Sequence, residues 1–262
     1  MGLALVTGTS SGIGAAYADR LARRGDDLIM VARRRGPMED LATRLRRESG
    51  VDVEVLQADL ADPADLRCVE DRLAGEAKLT MLVNNAAMGG IGPLTGMDRE
   101  DIARMIAVNV LAVTQLTRAA LPVLVEQKGT LVNVASGAAF GCMKGAAVYS
   151  ATKAFVVQFT RTLHAEIGES VRLQALIPGL TRTNLGDAEK TGFFDQFPPE
   201  WVMSPEDLVD ASLAGLELRE LICVPAFDDL DEFERASATI QKLGMSTSRR
   251  EPATRYRNAR GT

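Results

Sequence analysis

The chain has 262 residues, 46% of them hydrophobic, which suits one α/β domain with a large buried core. Lys plus Arg number 30 against 35 for Asp plus Glu, a net charge of −5, so neither nucleic acid nor an anionic membrane is expected as a partner. Cys68, Cys142 and Cys223 are scattered, with no Cys-x-x-Cys spacing and no nearby histidine; this argues against a disulfide framework or a zinc site and suits a reduced, cytoplasmic setting.

Leu3–Thr7 is a short continuous apolar run and the first basic residue is Arg20, so the start of the chain reads as a strand buried on both faces, not as a secretory leader. Gly8-Thr-Ser-Ser-Gly12-Ile13-Gly14 follows, and helical spacing begins at Ala15. Glycines at a strand-to-helix turn let backbone amides approach a phosphate at the positive helix end, and Ser10 and Ser11 are further donors. A second buried strand, Leu28–Ala32, ends where dinucleotide folds meet the adenosine ribose. An acid there accepts from a 2′-hydroxyl, whereas an arginine complements a 2′-phosphate. Arg33, Arg34 and Arg35 follow, which favours NADP over NAD, with at least one of the three a solvated loop charge.

Pro37 opens a charged helix to about Glu48, Val51–Gln57 forms a third strand ending at Asp59-Leu60, and Asp62-Pro63 caps and starts another helix. Strands and helices alternating this regularly imply a parallel sheet. Thr80–Asn84 is a fourth strand that runs into Asn85-Ala86-Ala87 and a glycine-rich loop. Asp98 caps a long helical region to about Gln127, in which Asn109 stands among apolar neighbours as either a structural or a functional amide. Asp101, Arg104, Asn109, Gln115 and Arg118 interrupt that region, so it is not read as a membrane span. Gly129–Ser136 is a fifth strand and presents Ser136 at its carboxyl end, where open α/β sheets meet ligands.

The next long helix, to about Ile167, begins with Tyr149-Ser-Ala-Thr-Lys153. Residues four apart share a helix face, so the Lys153 ammonium is expected to favour the Tyr149 phenolate and to bring its pKa from about 10 toward neutrality. Such a phenol exchanges a proton with an alcohol or ketone. The sole histidine, His164, lies deep in the same helix, away from any nucleophile elbow, and reads as structural. Val171–Ile177 is a sixth strand, broken by Pro178-Gly179. Periodicity is then lost to Trp201, across a stretch holding Phe193, Phe194 and Phe197. These aromatics form either a satellite core or, with a lid at about 183–203, an apolar substrate wall. Ser204-Pro205 restarts a helix to about Leu218, Leu221–Val224 is an edge strand, and Asp228–Leu243 is a last amphipathic helix. The domain is thus expected to span 1–243, with an arginine-rich tail at 244–262 lacking regular structure.

Thr7-Gly8-x-x-x-Gly12-x-Gly14, Asn84-Asn85-Ala86, Asn109, Ser136, Tyr149-x-x-x-Lys153 and Pro178-Gly179, in this order, resemble the short-chain dehydrogenase/reductase family over residues 3 to about 183. The resemblance implies a doubly wound Rossmann sheet of about seven parallel strands and hydride transfer with a nicotinamide cofactor, here NADP(H). It casts Tyr149 as catalytic acid/base, with Lys153 lowering its pKa and holding the nicotinamide ribose. Ser136 becomes the hydrogen-bond partner of the substrate oxygen, and Asn109 the support of a water-linked proton relay. Gly8, Ser10, Ser11, Gly12, Ile13 and Gly14 form the phosphate turn, Asp59 and Leu60 contact adenine, and Asn85 with Ala86 borders the adenosine ribose. Pro178, Gly179, Thr181 and Thr183 adjoin the nicotinamide, and Ala32-Arg33 resembles the NADP-preferring pattern, with Arg34 next to it. The expected activity is reduction of a small hydrophobic carbonyl compound by a homodimer or homotetramer. The alternatives are a non-catalytic NADP-binding regulator and an interaction protein acting through its basic tail. One departure is Ala87, where the family has glycine; the added methyl costs little at negative φ and about 1 kcal/mol in a left-handed conformation.

Overall fold

In the computed structural model, which describes residues 2–183, 192–229, 231–248 and 250–257, seven strands form one parallel sheet. They are β1 (Leu3–Thr7), β2 (Asp27–Ala32), β3 (Val53–Gln57), β4 (Leu79–Asn84), β5 (Thr130–Val134), β6 (Arg172–Leu176) and β7 (Ile222–Cys223), in the order β3-β2-β1-β4-β5-β6-β7. Each expected strand is present: β1 has the expected bounds, β2 and β4 start one residue earlier, and β3, β5, β6 and β7 are trimmed by one or two residues at one or both ends. The strands read as unbroken apolar runs because both sheet faces are covered. Val6, Met30 and Val83 pack into one core with Tyr17, Leu21 and Leu213, while the alternating Leu5, Ile29 and Leu82 pack into a second core with Leu66, Leu116 and Leu124.

Helices α1 (Gly12–Arg23), α2 (Arg35–Ser49) and α7 (Pro205–Glu217) supply the first core, and α3 (Pro63–Ala74), α5 (Val113–Glu126) and α6 (Ala147–Ile167) the second. Two starts follow their caps: the Asp62 carboxylate accepts from the amides of Ala64 and Asp65, and Ser204 Oγ accepts from the Asp207 amide at 3.0 Å. Asp98 occupies the N-cap of α4 (Arg99–Ile106), but its carboxylate makes no capping bond, contrary to expectation.

The long helical region is not one regular α-helix. A π-helical segment, Ala107–Ala112, separates α4 from α5 and carries Asn109. Against the reading that no stretch has membrane-spanning character, Arg99–Glu126 is long and apolar enough by length and composition. In this fold it lays Ala112, Leu116, Ala120 and Leu124 into the second core and buries Asn109 and Thr117.

Strand order reverses between β1 and β4, which opens a crevice at their carboxyl ends, the usual ligand position in such sheets. Thr7 pins this point: its Oγ1 accepts from the amides of Asn85 and Ala86, each at 2.9 Å. The chain divides into two compact units, 1–225 and 226–262. The second unit carries α8 (Asp231–Met245) and a short α9 (Thr254–Arg257), the latter inside the tail expected to lack regular structure.

Candidate active site

β5 ends at Val134, and Ser136 two residues later caps a short 3-10 turn over Gly137–Ala139, its Oγ accepting from the Ala138 amide at 3.2 Å. α6 starts at Ala147 and brings Tyr149 back beside Ser136, whose hydroxyl favours the phenolate. Lys153, one turn on, is only 3% exposed; its Nζ donates to the Val134 carbonyl at 2.9 Å and lies 5.8 Å from the centre of the Tyr149 ring. Ser136 after β5 and Tyr149 and Lys153 on the first turns of α6 are thus brought together.

Their proton affinities depart from expectation. Burial raises the Tyr149 pKa above that of a free phenol, with the Ser136 hydrogen bond pulling partly the other way. Burial also lowers Lys153 from 10.5 to about 8. Removal from water disfavours the charged form of each group, and in this arrangement that outweighs the attraction of the ammonium for a phenolate.

Asn109 is buried and fully engaged. Its Oδ1 accepts from the Met88 amide at 2.8 Å, and its Nδ2 donates to the Met88 carbonyl at 2.9 Å and to Thr152 Oγ1 at 3.0 Å. Thr152 in turn donates to the Tyr149 carbonyl at 2.7 Å. The Asn109 amide thus joins the loop after β4 to the first turn of α6, and it makes no bond to Lys153. Thr152 and Met88 were not singled out in the sequence, although a hydroxyl three residues after the tyrosine was a readable signal.

At the glycine turn, Gly8 and Gly12 have φ of 75° and 58°. A Cβ on Gly8 would sit 2.6 Å from Asn85 Nδ2, and one on Gly14 would collide with the Gly8 carbonyl. Asn85 Nδ2 donates to the Thr7 carbonyl at 2.8 Å, which locks β4 to the turn. Arg34, not Arg33, reaches the turn: its Nη2 donates to Ser10 Oγ and Ser11 Oγ, both at 3.1 Å. Arg33 acts at longer range, helping to hold the Asp59 carboxyl below its ordinary pKa against a larger opposing effect of burial. Asp59 is tied to Arg104 at 2.7 Å, a partner with no sequence signal, and the Leu60 side chain is spent in the second core. Ile13 packs against the first core. Ala87 is not among the described non-glycine residues at positive φ, which are Lys128 and Arg219, so its methyl carries no left-handed strain.

The segment after β6 returns to the same place. The Pro178 carbonyl accepts from the Gly137 amide at 2.8 Å, Thr181 Oγ1 donates to the Gly179 carbonyl at 3.3 Å, and Thr183 stands against Gly12. A cleft of about 640 Å³ adjoins this contact, lined by Ser11, Gly12, Arg44, Arg182 and Thr183. Residues 184–191, the first part of the expected lid, lie outside the described residues. In the remainder, Phe193 packs on Phe194 and Phe197 with ring centres 5.5 and 5.2 Å apart, Phe194 is buried, and Trp201 is 64% exposed and apart from the three. His164 is remote from these groups, near the end of α6 with Nε2 3.9 Å from Glu169.

A family model described as short chain dehydrogenase matches residues 2–192. Among solved structures, a short-chain dehydrogenase from Sphingobium yanoikuyae in complex with NADPH superposes with a TM-score of 0.91 at 41% identity, covering 98% of this chain and 100% of that one. A bulky-bulky ketone specific alcohol dehydrogenase from Comamonas testosteroni gives a TM-score of 0.88 at 37% identity, covering 98% of each chain. The very-long-chain 3-oxoacyl-CoA reductase of Anas platyrhynchos is 30% identical over 94% of this chain and 80% of its own length.

Proposed function

Because the chain belongs to the short chain dehydrogenase family, we propose that it reduces a hydrophobic ketone, aldehyde or acyl-type carbonyl to the alcohol with NADPH. The observation that carries this reading is the Tyr149 phenol set beside Ser136 and a buried Lys153. The glycine turn fits a dinucleotide, since Gly8 and Gly12 hold left-handed backbone where β1 turns into α1, and the amides at that helix end suit a phosphate. Arg34 over Ser10 and Ser11, with Arg33 beside it, fits a 2′-phosphate, and the NADPH complex of the Sphingobium relative supports the same cofactor.

NADPH supplies the hydride. Ser136 and Tyr149 bind the carbonyl oxygen, which polarises the carbonyl and orients its carbon. A phenol with a raised pKa is protonated at neutral pH, the state needed to donate a proton to the developing alkoxide. Lys153, charged below about pH 8, stabilises the negative charge that Tyr149 acquires as its proton leaves. Asn109 and Thr152 hold the first turn of α6 in register with the loop after β4. The aromatic cluster of Phe193, Phe194 and Phe197, with exposed Trp201, supports a hydrophobic substrate as its candidate lid contacts, and the free cysteines suit a cytoplasmic setting. The test is NADPH consumption by the purified protein across a panel of ketones, aldehydes and 3-oxoacyl thioesters. Turnover of apolar members is expected, and no turnover of any member would overturn the reading.

A further inference from the structure

The helix α8 takes no part in the site described above, and its sequence has a pattern of its own. Phe233, Ala236, Ile240 and Leu243 recur at intervals of three, four and three, the spacing of the a and d positions of two heptads, and so share one stripe of the helix. Ile240 and Leu243 are each 63% exposed, and Ala236 is exposed with them. Asp231, Arg235, Ala238 and Lys242 occupy the opposite face. Helices of this length draw most of their stability from packing an apolar face, so a stripe left in water marks a contact to be made. Gly244 borders the stripe. Its φ is not positive, and a Cβ there would meet no described atom within 4 Å, so neither backbone nor room within this chain calls for glycine. Glycine weakens a helix relative to alanine, and close approach of a second helix is what its small size serves.

Charge identifies the partner. Residues 226–234 hold five acidic side chains and no basic one, whereas residues 235–262 hold seven basic and one acidic. A surface of uniform sign, such as an anionic lipid layer, would attract one end of this segment and repel the other. A second copy laid parallel would set like ends together. Laid antiparallel, it sets the acidic start of one helix against the basic end of the other, in a self-complementary contact of the two-fold kind.

We propose that α8 pairs with α8 of a second copy of this chain, antiparallel, about a two-fold axis level with Ala238. Phe233 then faces the partner's Leu243, and Ala236 faces the partner's Ile240. Two heptads bury less surface than a free-standing interface needs, so the pair reinforces an assembly held elsewhere on the chain. The pairing does not depend on the carbonyl-reductase reading.

The test is disulfide trapping in the full-length protein at micromolar concentration, with the exposed Cys68 and Cys142 changed to serine. Chains carrying Ala236→Cys and Ile240→Cys are co-expressed with different tags and oxidised. A cross-linked two-chain species bearing both tags is expected, because only the antiparallel register brings these positions within disulfide reach. Neither variant alone is expected to cross-link, nor is Ala238→Cys, which is level with the axis but on the far face. Leu243→Glu added to both chains is expected to cut trapping at least about tenfold, since it places a charge on the packed stripe. No trapped species from the co-expressed pair would overturn the proposal. Equal trapping by the single variants would overturn it in favour of a parallel or random contact, and trapping untouched by Leu243→Glu would show that the apolar stripe does not bring the helices together.

Discussion

Burial makes both Tyr149 and Lys153 more reluctant to carry charge, and this has consequences that each residue exposes separately. Lys153 keeps its proton below about pH 8, and Tyr149 keeps its own to higher pH, so the reductive kcat is expected to fall as pH rises through about 8. A pH profile that is flat from about 7 to 9 would contradict the role given to Lys153. Stability responds to the same lysine with the opposite sign. The unfolded lysine titrates near about 10.4, above the folded value of about 8, so the full cost of burying the cation is present below pH 8 and is relieved between those values. Lys153→Met is therefore expected to be more stable than wild type at pH 7 by about 2 kcal/mol, with the advantage shrinking toward pH 10 in denaturant titrations. At the cofactor end, Arg34→Ala is expected to weaken NADPH binding by about one to two decades, the worth of a charge-assisted phosphate contact, and to leave NADH nearly unchanged. Equal losses for both cofactors would remove Arg34 from 2′-phosphate recognition.

Between elements, the chain of bonds from Met88 through Asn109 and Thr152 to Tyr149 ties the π-helical segment to α6. Such interruptions of α-helices are frequent at functional sites. Thr152→Val removes the hydroxyl at nearly constant shape, and we expect kcat to drop about tenfold with cofactor affinity unchanged, while Thr152→Ser restores most of it. An unimpaired valine variant, or a serine variant as poor as valine, would show that the link is not used. None of this was visible as periodicity, because a π-helical segment shifts the apolar pattern by about one residue, too little to stand out among so many apolar neighbours. The strands were visible, since two covered faces leave unbroken apolar runs such as Leu28–Ala32. So were Ser136, Tyr149 and Lys153, because fixed spacing on a helix and at a strand end determines where they meet. The direction of the Tyr149 shift was not, because it depends on how much protein surrounds the pair. The choice between Arg34 and Arg33 and the Asp59–Arg104 pair likewise depend on tertiary placement that adjacent residues do not encode.

For the whole molecule, the α4–α5 region leaves Ile106, Leu111 and Val125 between 41 and 45% exposed, and stacked Phe155 and Phe159 lie on α6 with ring centres 5.6 Å apart. Long helices with apolar residues on more than one face suit association with a second copy. We expect a homodimer or homotetramer through the helices spanning Asp98–Gln127 and Val148–Ile167, with Leu111→Glu lowering the mass found by light scattering. A monomeric wild type at micromolar concentration would contradict this. The central claim, that sheet, glycine turn and α6 converge to deliver a proton from Tyr149 to a reduced carbonyl, is tested most directly by Tyr149→Phe. The account predicts NADPH binding close to wild type and a loss of turnover of at least about 10²-fold, within the range that positioned acid/base groups contribute. Activity within about tenfold of wild type, with binding intact, would show that the proton comes from elsewhere.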